Sequence, residues 1–423
     1  MAERKKRILI FAHYYAPDTA STGQILKDLA EGMKEEFDVT VVCVVPSYNG
    51  KVRPEYRTRR YYSEELNGVK LMRVRVPEFT KSDKMSRVRN IIAYFFGALG
   101  ASRKAGRQDY IFTISQPPVL GGLLGVMGKW QKHGKMIYCI QDFNPEQIMA
   151  VNYSKNRLLL WIMMAVDKFS CRHSDLVVTV GRDLVDTLKR RFRGKPIPRY
   201  TMINNWIDEK KAYPLPANHE QVVEFKKKYG LNEKFVIMYS GNIGLYYDLE
   251  NIIEIIGRIK PGTKAADERE VAFAFIGGGS VLDKLTWYVR EHHMDNVVFI
   301  PYQDKDELIY SLNAADVHWC VNAKGIKGVS CPSKFYGIAA VAKPVLGVLE
   351  EGSEIRRLIE ETRCGLVCEP GEYREIERNI WWFIEKAGDG QMDKMGWNGY
   401  EYLIRNLTKI MSVNRYKEAI KAL

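Results

Sequence analysis

Residues 331–346 read CPSKFYGIAAVAKPVL, a turn that opens a helix on Pro332, Ser333 and Lys334 and passes into an apolar strand. Proline and serine are favoured at helix starts, where the first backbone N–H groups lack partners within the helix and the dipole adds partial positive charge. Lys334 adds a full charge, so the segment is a candidate phosphate site; the alternative is a helix start whose lysine serves solubility. Three further turns follow apolar runs in the same half of the chain. Ser240-Gly241-Asn242-Ile243-Gly244 follows FVIMY, Gly277-Gly278-Gly279-Ser280 follows VAFAFI, and Tyr302 with Gln303 follows NVVFIP. Glycines let a backbone approach a ligand closely, an amide meets polar oxygens, and a tyrosine offers a face to a base. Each turn alone reads as structural; on successive strands of one sheet they read as a nucleotide site. Neither glycine cluster has the GxGxxG or GxxxxGK[ST] spacing, which argues against NAD and against ATP hydrolysis by a P-loop.

In the first half, Gln141 and Asp142 end the run KMIYCI, and a turn over residues 18–23, closing on Gly23, follows the first apolar run. Asp142 can hold substrate hydroxyls or stabilise developing positive charge, and can equally cap the next helix. Gln141 can hydrogen-bond without changing protonation. His13, at the end of the first apolar run, is a further candidate, though a lone histidine there is more often packed and neutral.

The elements that must position these residues alternate strand and helix. RILIFAHYY leads to a helix at about 25–35, then DVTVVCVV, VKLMRVRV, a helix near 89–105, YIFTIS, another helix, KMIYCIQD, a helix at 157–172 and LVVTVG. The pattern restarts with PRYTMINNWID, after a linker placed between about 187 and 218, and continues through FVIMYSGNIG, VAFAFIGGGS, NVVFIPY, DVHWCVN and AKPVLGV. This predicts an α/β protein of two tandem Rossmann-like domains facing across a cleft, over residues 1–195 and 196–390, with helices in 391–423 packing back on the first domain. At 423 residues the chain suits two cores of roughly 200 residues each.

The 7 cysteines show no C-x-x-C pair or histidine-rich partner, so neither a disulfide framework nor a zinc site is expected. The N-terminal MAERKK runs straight into a strand, which reads as cytosolic. A net charge of +13 calls for an anionic partner or serves solubility. Lys81, Lys84, Arg87, Arg89, Arg103, Lys104 and Arg107 bracket the apolar residues 91–101, and apolar stretches at 119–128 and 158–166 follow with Trp130 and Trp161. None approaches the ~20 apolar residues needed to span a bilayer. They read either as a surface resting on anionic lipid or as buried helices with solvated ends.

Taken in order, YYAPDTASTGQ, VTVGRDLVDTL, MINNWID, YSGNIG with YYDLENII, FAFIGGGSVLDKL, NVVFIPYQDKDELIYSLNAADV, CPSKFYGIAAVAKPVL and ETRCGLVCEPGE resemble the GT-B glycosyltransferases of the retaining family 4, through nearly the whole chain. Within it, SGNIG, QDFNPE, NNWID and PSK look most like the bacterial transferases of colanic-acid and O-antigen assembly that use fucose-type donors. The resemblance implies sugar transfer from a UDP- or GDP-linked donor, with Lys334, Asp142 and Gln141 as catalytic candidates. Donor contacts would fall to Gly23, Ser240, Gly241, Asn242, Gly244, Gly278, Tyr302, Gln303, Ser333 and Lys334. Val329 and Gly337 stand where most of the family has two glutamates, Asn242 where it has an arginine and Gln141 where it has a histidine, which leaves Lys334 as the leading diphosphate cation. The D-x-D at Asp304-Lys305-Asp306 reads as helix-start charge, so neither metal nor cofactor is expected. The expected partners are a nucleotide-diphosphate sugar, a lipid-linked saccharide acceptor and the anionic cytosolic face of the plasma membrane, with no nucleic acid. A GT-B epimerase or a non-catalytic nucleic-acid binder are the rival readings; no recognition module for nucleic acid is present.

Overall fold

The computed structural model describes residues 4–18, 21–80, 83–304 and 306–423. Parts of the expected 18–23 turn, Lys81 and Lys305 lie outside the described residues. The chain forms two compact units, Met1–Asn204 with Ile410–Leu423, and Asn205–Lys409.

In the first unit, β1 (Lys6–Phe11), β2 (Phe37–Val44), β3 (Tyr61–Leu66), β4 (Val69–Val74), β5 (Tyr110–Ile114), β6 (Lys135–Ile140), β7 (Leu176–Thr179) and β8 (Tyr200–Met202) make one sheet in the order β3-β4-β2-β1-β5-β6-β7-β8. Runs such as YIFTI in β5 are buried throughout, as parallel strands covered on both faces must be. Ile8 pairs with Val39 on one side and Tyr110 on the other. The exception to parallel pairing is β3, antiparallel to β4 across a turn in which Asn67 and Gly68 both take positive φ. Asn-Gly is the preferred dipeptide for such a tight hairpin, because both of its residues tolerate that backbone. The helix Leu120–Lys132 lies close on the sheet, since its glycines face other atoms where a Cβ would not fit: at Gly128 the atom would come within 2.7 Å of Phe11, at Gly122 within 2.8 Å of Tyr138.

Two limits differ from the sequence reading. The segment from 187, read as linker, begins inside the helix Arg182–Arg191, and β8, read as opening the second domain, hydrogen-bonds to β7. The C-terminal helices also divide. Gln391–Asn406 packs within the second unit, where Gly396 abuts the Ala342 carbonyl and Gly399 faces Cys364. Lys409–Lys421 serves the first unit: Tyr416 Oη is 3.3 Å from Cys139 Sγ, Val413 fills the space over Gly32, and Lys417 pairs with Glu36 at 3.0 Å.

The second unit's sheet contains β9 (Lys234–Ser240), β10 (Glu270–Ile276), β11 (Val297–Ile300), β12 (Val317–Val321), β13 (Val345–Val348) and β14 (Gly365–Cys368), all parallel, ordered β11-β10-β9-β12-β13-β14. β9 alternates its side chains between two cores: Phe235, Ile237 and Tyr239 join Ile252, Ile256 and Phe383, while Val236 and Met238 join Val222 and Ala314. All 7 cysteines are free thiols. Among the described residues no helix is long and apolar enough to cross a membrane.

Candidate active site

In the second sheet β10 and β11 lie to one side of β9, and β12 to β14 to the other. The strand order therefore reverses between β9 and β12, and the carboxyl ends there open the crevice in which such sheets hold ligands. Leaving β9, Gly241 takes φ +143°, its N–H donates to the Ile276 carbonyl at 2.9 Å, and the Ile243 N–H donates to the Gly278 carbonyl at 2.9 Å. The turns after β9 and β10 are thus laced backbone to backbone, and a Cβ at Gly277 would overlap the Gly241 carbonyl. Tyr239 closes the first turn by donating its hydroxyl to the Asn242 carbonyl at 2.6 Å. Gly244 lies under the Asn242 amide, 2.9 Å from where its Cβ would be.

From the β12 side comes Lys334, first residue of the helix Lys334–Ala340. Its Cε stands 2.7 Å from where a Cβ at Gly241 would be, so glycine is what lets the lysine stem pass. Its ammonium lies 3.7 Å from the Tyr247 ring centroid and 5.0 Å from that of Tyr239. Among the described residues this half-buried cation has aromatic faces rather than a carboxylate against it. Such a cation is held in place and left electrostatically open to an anion. Ser333 is exposed and already helical, at φ −73° and ψ −9°, and its hydroxyl caps nothing. Ser240 pairs with Ile276 in the sheet, Tyr302 is exposed, and Gln303 is committed to the Pro301 carbonyl at 2.7 Å and the Tyr229 hydroxyl at 3.4 Å. Gly337 is buried against Leu312 and Ile207.

In the first unit Gln141 and Asp142 follow β6 directly, and their N–H groups donate to Ser115 Oγ at 3.1 and 3.3 Å. Gln141 is buried with its amide on Cys139 Sγ. The following helix, Glu146–Ala150, starts after Pro145, which supplies no side-chain cap. What fixes this loop is a residue the sequence reading passed over. Arg191 donates to the Asn144 carbonyl at 2.8 Å and to Glu146 at 2.7 Å, lies 4.3 Å over the Phe143 ring, and pairs with Asp167, which also accepts from Tyr138 at 2.6 Å. Burial opposes the guanidinium's charge, but Glu146 and Asp167 outweigh it and hold its pKa above the ordinary arginine value.

The first sheet reverses between β1 and β5, and a cavity of about 270 Å³ opens there, lined among others by His13, Tyr14, Tyr48, Arg87, Asn90 and Gln116. Thr22 donates to Gln116 at 2.7 Å, and Gly23 is buried under the Tyr14 carbonyl. Burial lowers the His13 pKa to about 4, with Asn90 opposing, so the ring is neutral at physiological pH, and its buried Nε2 has no hydrogen-bond partner. Gln116 is not among the site residues singled out from the sequence, although it follows β5 as His13 follows β1; that shared position was the available signal. Among the described residues no cluster of three or more histidine, cysteine or acidic side chains is placed to hold a metal ion.

Two family models cover most of the chain: a glycosyl transferase 4-like domain over residues 22–206 and glycosyl transferases group 1 over 222–402. WbjE of Pseudomonas aeruginosa, described as a probable glycosyltransferase, is 24% identical over 99% of this chain and 98% of its own. WcaI of Escherichia coli strain K12, named as a glycosyl transferase of colanic acid biosynthesis, is 22% identical over 84% of this chain and 86% of its own. Among solved structures, Anabaena HepE in complex with UDP and glucose superposes with a TM-score of 0.71 at 12% identity, covering 98% of this chain and 99% of that one.

Proposed function

The chain belongs to the glycosyltransferases of the GT-B fold, and from that premise we propose that it moves a sugar, with retention and without a metal, from a nucleotide-diphosphate donor to a saccharide acceptor. The name of WcaI, which places it in colanic acid biosynthesis, supports polysaccharide synthesis as the setting, and HepE supports UDP as the first donor nucleotide to test, beside GDP. A lipid-diphosphate-linked acceptor at the cytosolic membrane face completes the reading.

The observation that carries it is the Lys334 ammonium, half-buried beside the Gly241 turn with only aromatic faces against it among the described residues. In this reading the glycine turns admit the donor diphosphate close to the backbone, and Lys334 stabilises the charge that develops on it. The bond from the anomeric carbon to the phosphate oxygen breaks, and its electron pair leaves with the diphosphate. The acceptor hydroxyl oxygen bonds to that carbon on the same face, and its proton passes to the departing phosphate oxygen. Asp142 and Gln141, on a loop that Arg191 holds rigid, orient the sugar or the acceptor.

Thermal-shift titration of UDP and GDP into the protein and into K334A tests the donor site. One nucleotide should raise Tm in the parent and much less in the variant; equal shifts in both proteins remove Lys334 from the site. The anomeric configuration of the product, read by NMR, tests retention.

A further inference from the structure

Two helices of the first unit carry large apolar side chains on the side that faces water. On Lys84–Lys104, Tyr94, Ala98 and Ala101 are buried, while Met85, Val88, Ile92 and Phe96, spaced to share the opposite face, are exposed, Met85 to 75% and Phe96 to 61%. On Arg157–His173, Asp167, Ser170 and Cys171 are buried, and Leu158, Trp161 and Ile162 face outward, Trp161 to 68%.

The two helices belong to one layer. Leu120–Lys132 packs between them, with Gln131 hydrogen-bonded to Ser102 and Leu99 on one side, and Lys129 donating to the His173 carbonyl at 2.9 Å on the other. At the leading end Lys84 lies 5.1 Å over the ring of Tyr153, itself exposed, in the segment that leads into Arg157–His173. An apolar surface of this extent on the outside of a folded unit marks an interaction site.

Its charge identifies the partner. The helix Lys84–Lys104 has no acidic residue, and the single one on Arg157–His173, Asp167, is buried against Arg191. Exposed Lys84, Arg89 and Arg103 accompany the first apolar face, and Lys155 and Arg157 the second. Asp83, at the start, spends its carboxylate on the N–H groups of Met85 and Ser86. Cations flanking apolar side chains, with Trp161 and Tyr153 among them, fit the chemistry of an anionic bilayer surface, where acyl chains take the apolar groups and phosphates take the cations.

We infer that the outward faces of Lys84–Lys104 and Arg157–His173 form a docking surface for an anionic lipid bilayer. It names the surface by which the membrane setting of the proposed function would be met, and it stands on observations separate from the donor crevice. Arg87 and Asn90, on the inner side of the first helix, line the cavity between β1 and β5, so this helix would separate that cavity from the lipid by little more than its own thickness of about 10 Å.

The full chain is floated with vesicles of phosphatidylcholine alone and with roughly one third phosphatidylglycerol, at low salt. The parent should float with the anionic vesicles only, and F96E and W161E should each reduce the bound fraction by about tenfold or more while keeping the parental circular dichroism and Tm. A parent that stays at the bottom of the gradient overturns the inference, as do variants that float as well as the parent. A parental dimer in light scattering that these substitutions dissociate also overturns it, because the face is then covered by a second copy. Sugar transfer to a short soluble acceptor, measured in the same proteins, separates the two readings: a parent that transfers but does not float with anionic vesicles removes only the docking surface, and a parent that floats but transfers from no donor removes only the enzyme.

Discussion

The ammonium of Lys334 lies 3.7 Å from the centre of the Tyr247 ring, on a stem that passes where a Cβ at Gly241 would otherwise be. Aromatic faces hold the cation in position without neutralising it. K334A should therefore lower kcat by about 100-fold to 1000-fold, the usual cost of removing one preorganised stabiliser of transition-state charge, with Tm close to parental. Y247L, which leaves the charge and loosens its position, should cost less. Steady-state transfer kinetics with unfolding curves on the same samples check both.

The neighbouring glycines separate space for the chain from space for the ligand. At Gly241 both the φ of +143° and the Lys334 stem oppose a side chain, so G241A should lose about 1–3 kcal/mol of stability as well as donor affinity. At Gly278 nothing lies within 4 Å of an added Cβ. G278A should unfold like the parent yet bind donor more weakly, if the phosphates use that space. Urea unfolding beside nucleotide titration tells the cases apart, and unchanged affinity in G278A takes Gly278 out of the donor site.

Replacing Arg191 strands the Asp167 and Glu146 carboxylates it now pairs with. R191M should cost about 3–5 kcal/mol by urea denaturation, as breaking a buried ion pair does, and D167N in the same background should restore part of it. A loss under 1 kcal/mol would show the pair to be replaceable by water.

Burial lowers both His13 and His318 to about 4, and the His318 Nε2 is 2.8 Å from the Leu312 carbonyl. The folded pKa lies below the unfolded value near 6.5, so between these limits the unfolded chain binds more protons. The stabilisation is whole above about pH 6.5 and falls as pH drops toward 4, by roughly 3 kcal/mol for each histidine across the window. Urea midpoints at pH 7.5 and pH 5 should show the loss, and H318N should flatten the slope.

The parallel strands were legible because runs such as VAFAFI and YIFTI are apolar and flanked by turn residues, and the glycine turns were legible because they follow those runs directly. The β3–β4 hairpin was also written in the sequence, at Asn67-Gly68, but the mixed polarity of YYSEEL hid its first strand. Tyr247 and Arg191 were not legible in their roles. One sits in a stretch that reads only as an approach to a helix, and the other finds Glu146 and Asn144 far away in sequence, a pairing that no local pattern encodes. The limits of the units were misplaced for the same reason: β8 is three residues long and gains its identity from β7.

The helix Lys409–Lys421 gives the molecule an order of assembly. The second unit is one unbroken stretch of chain and can close as soon as it is synthesised, whereas the first must wait for residues 410–423. Until Val413 and Tyr416 leave the ribosome, the seat over Gly32 and Cys139 stays open, so the half of the protein that is made first is finished last.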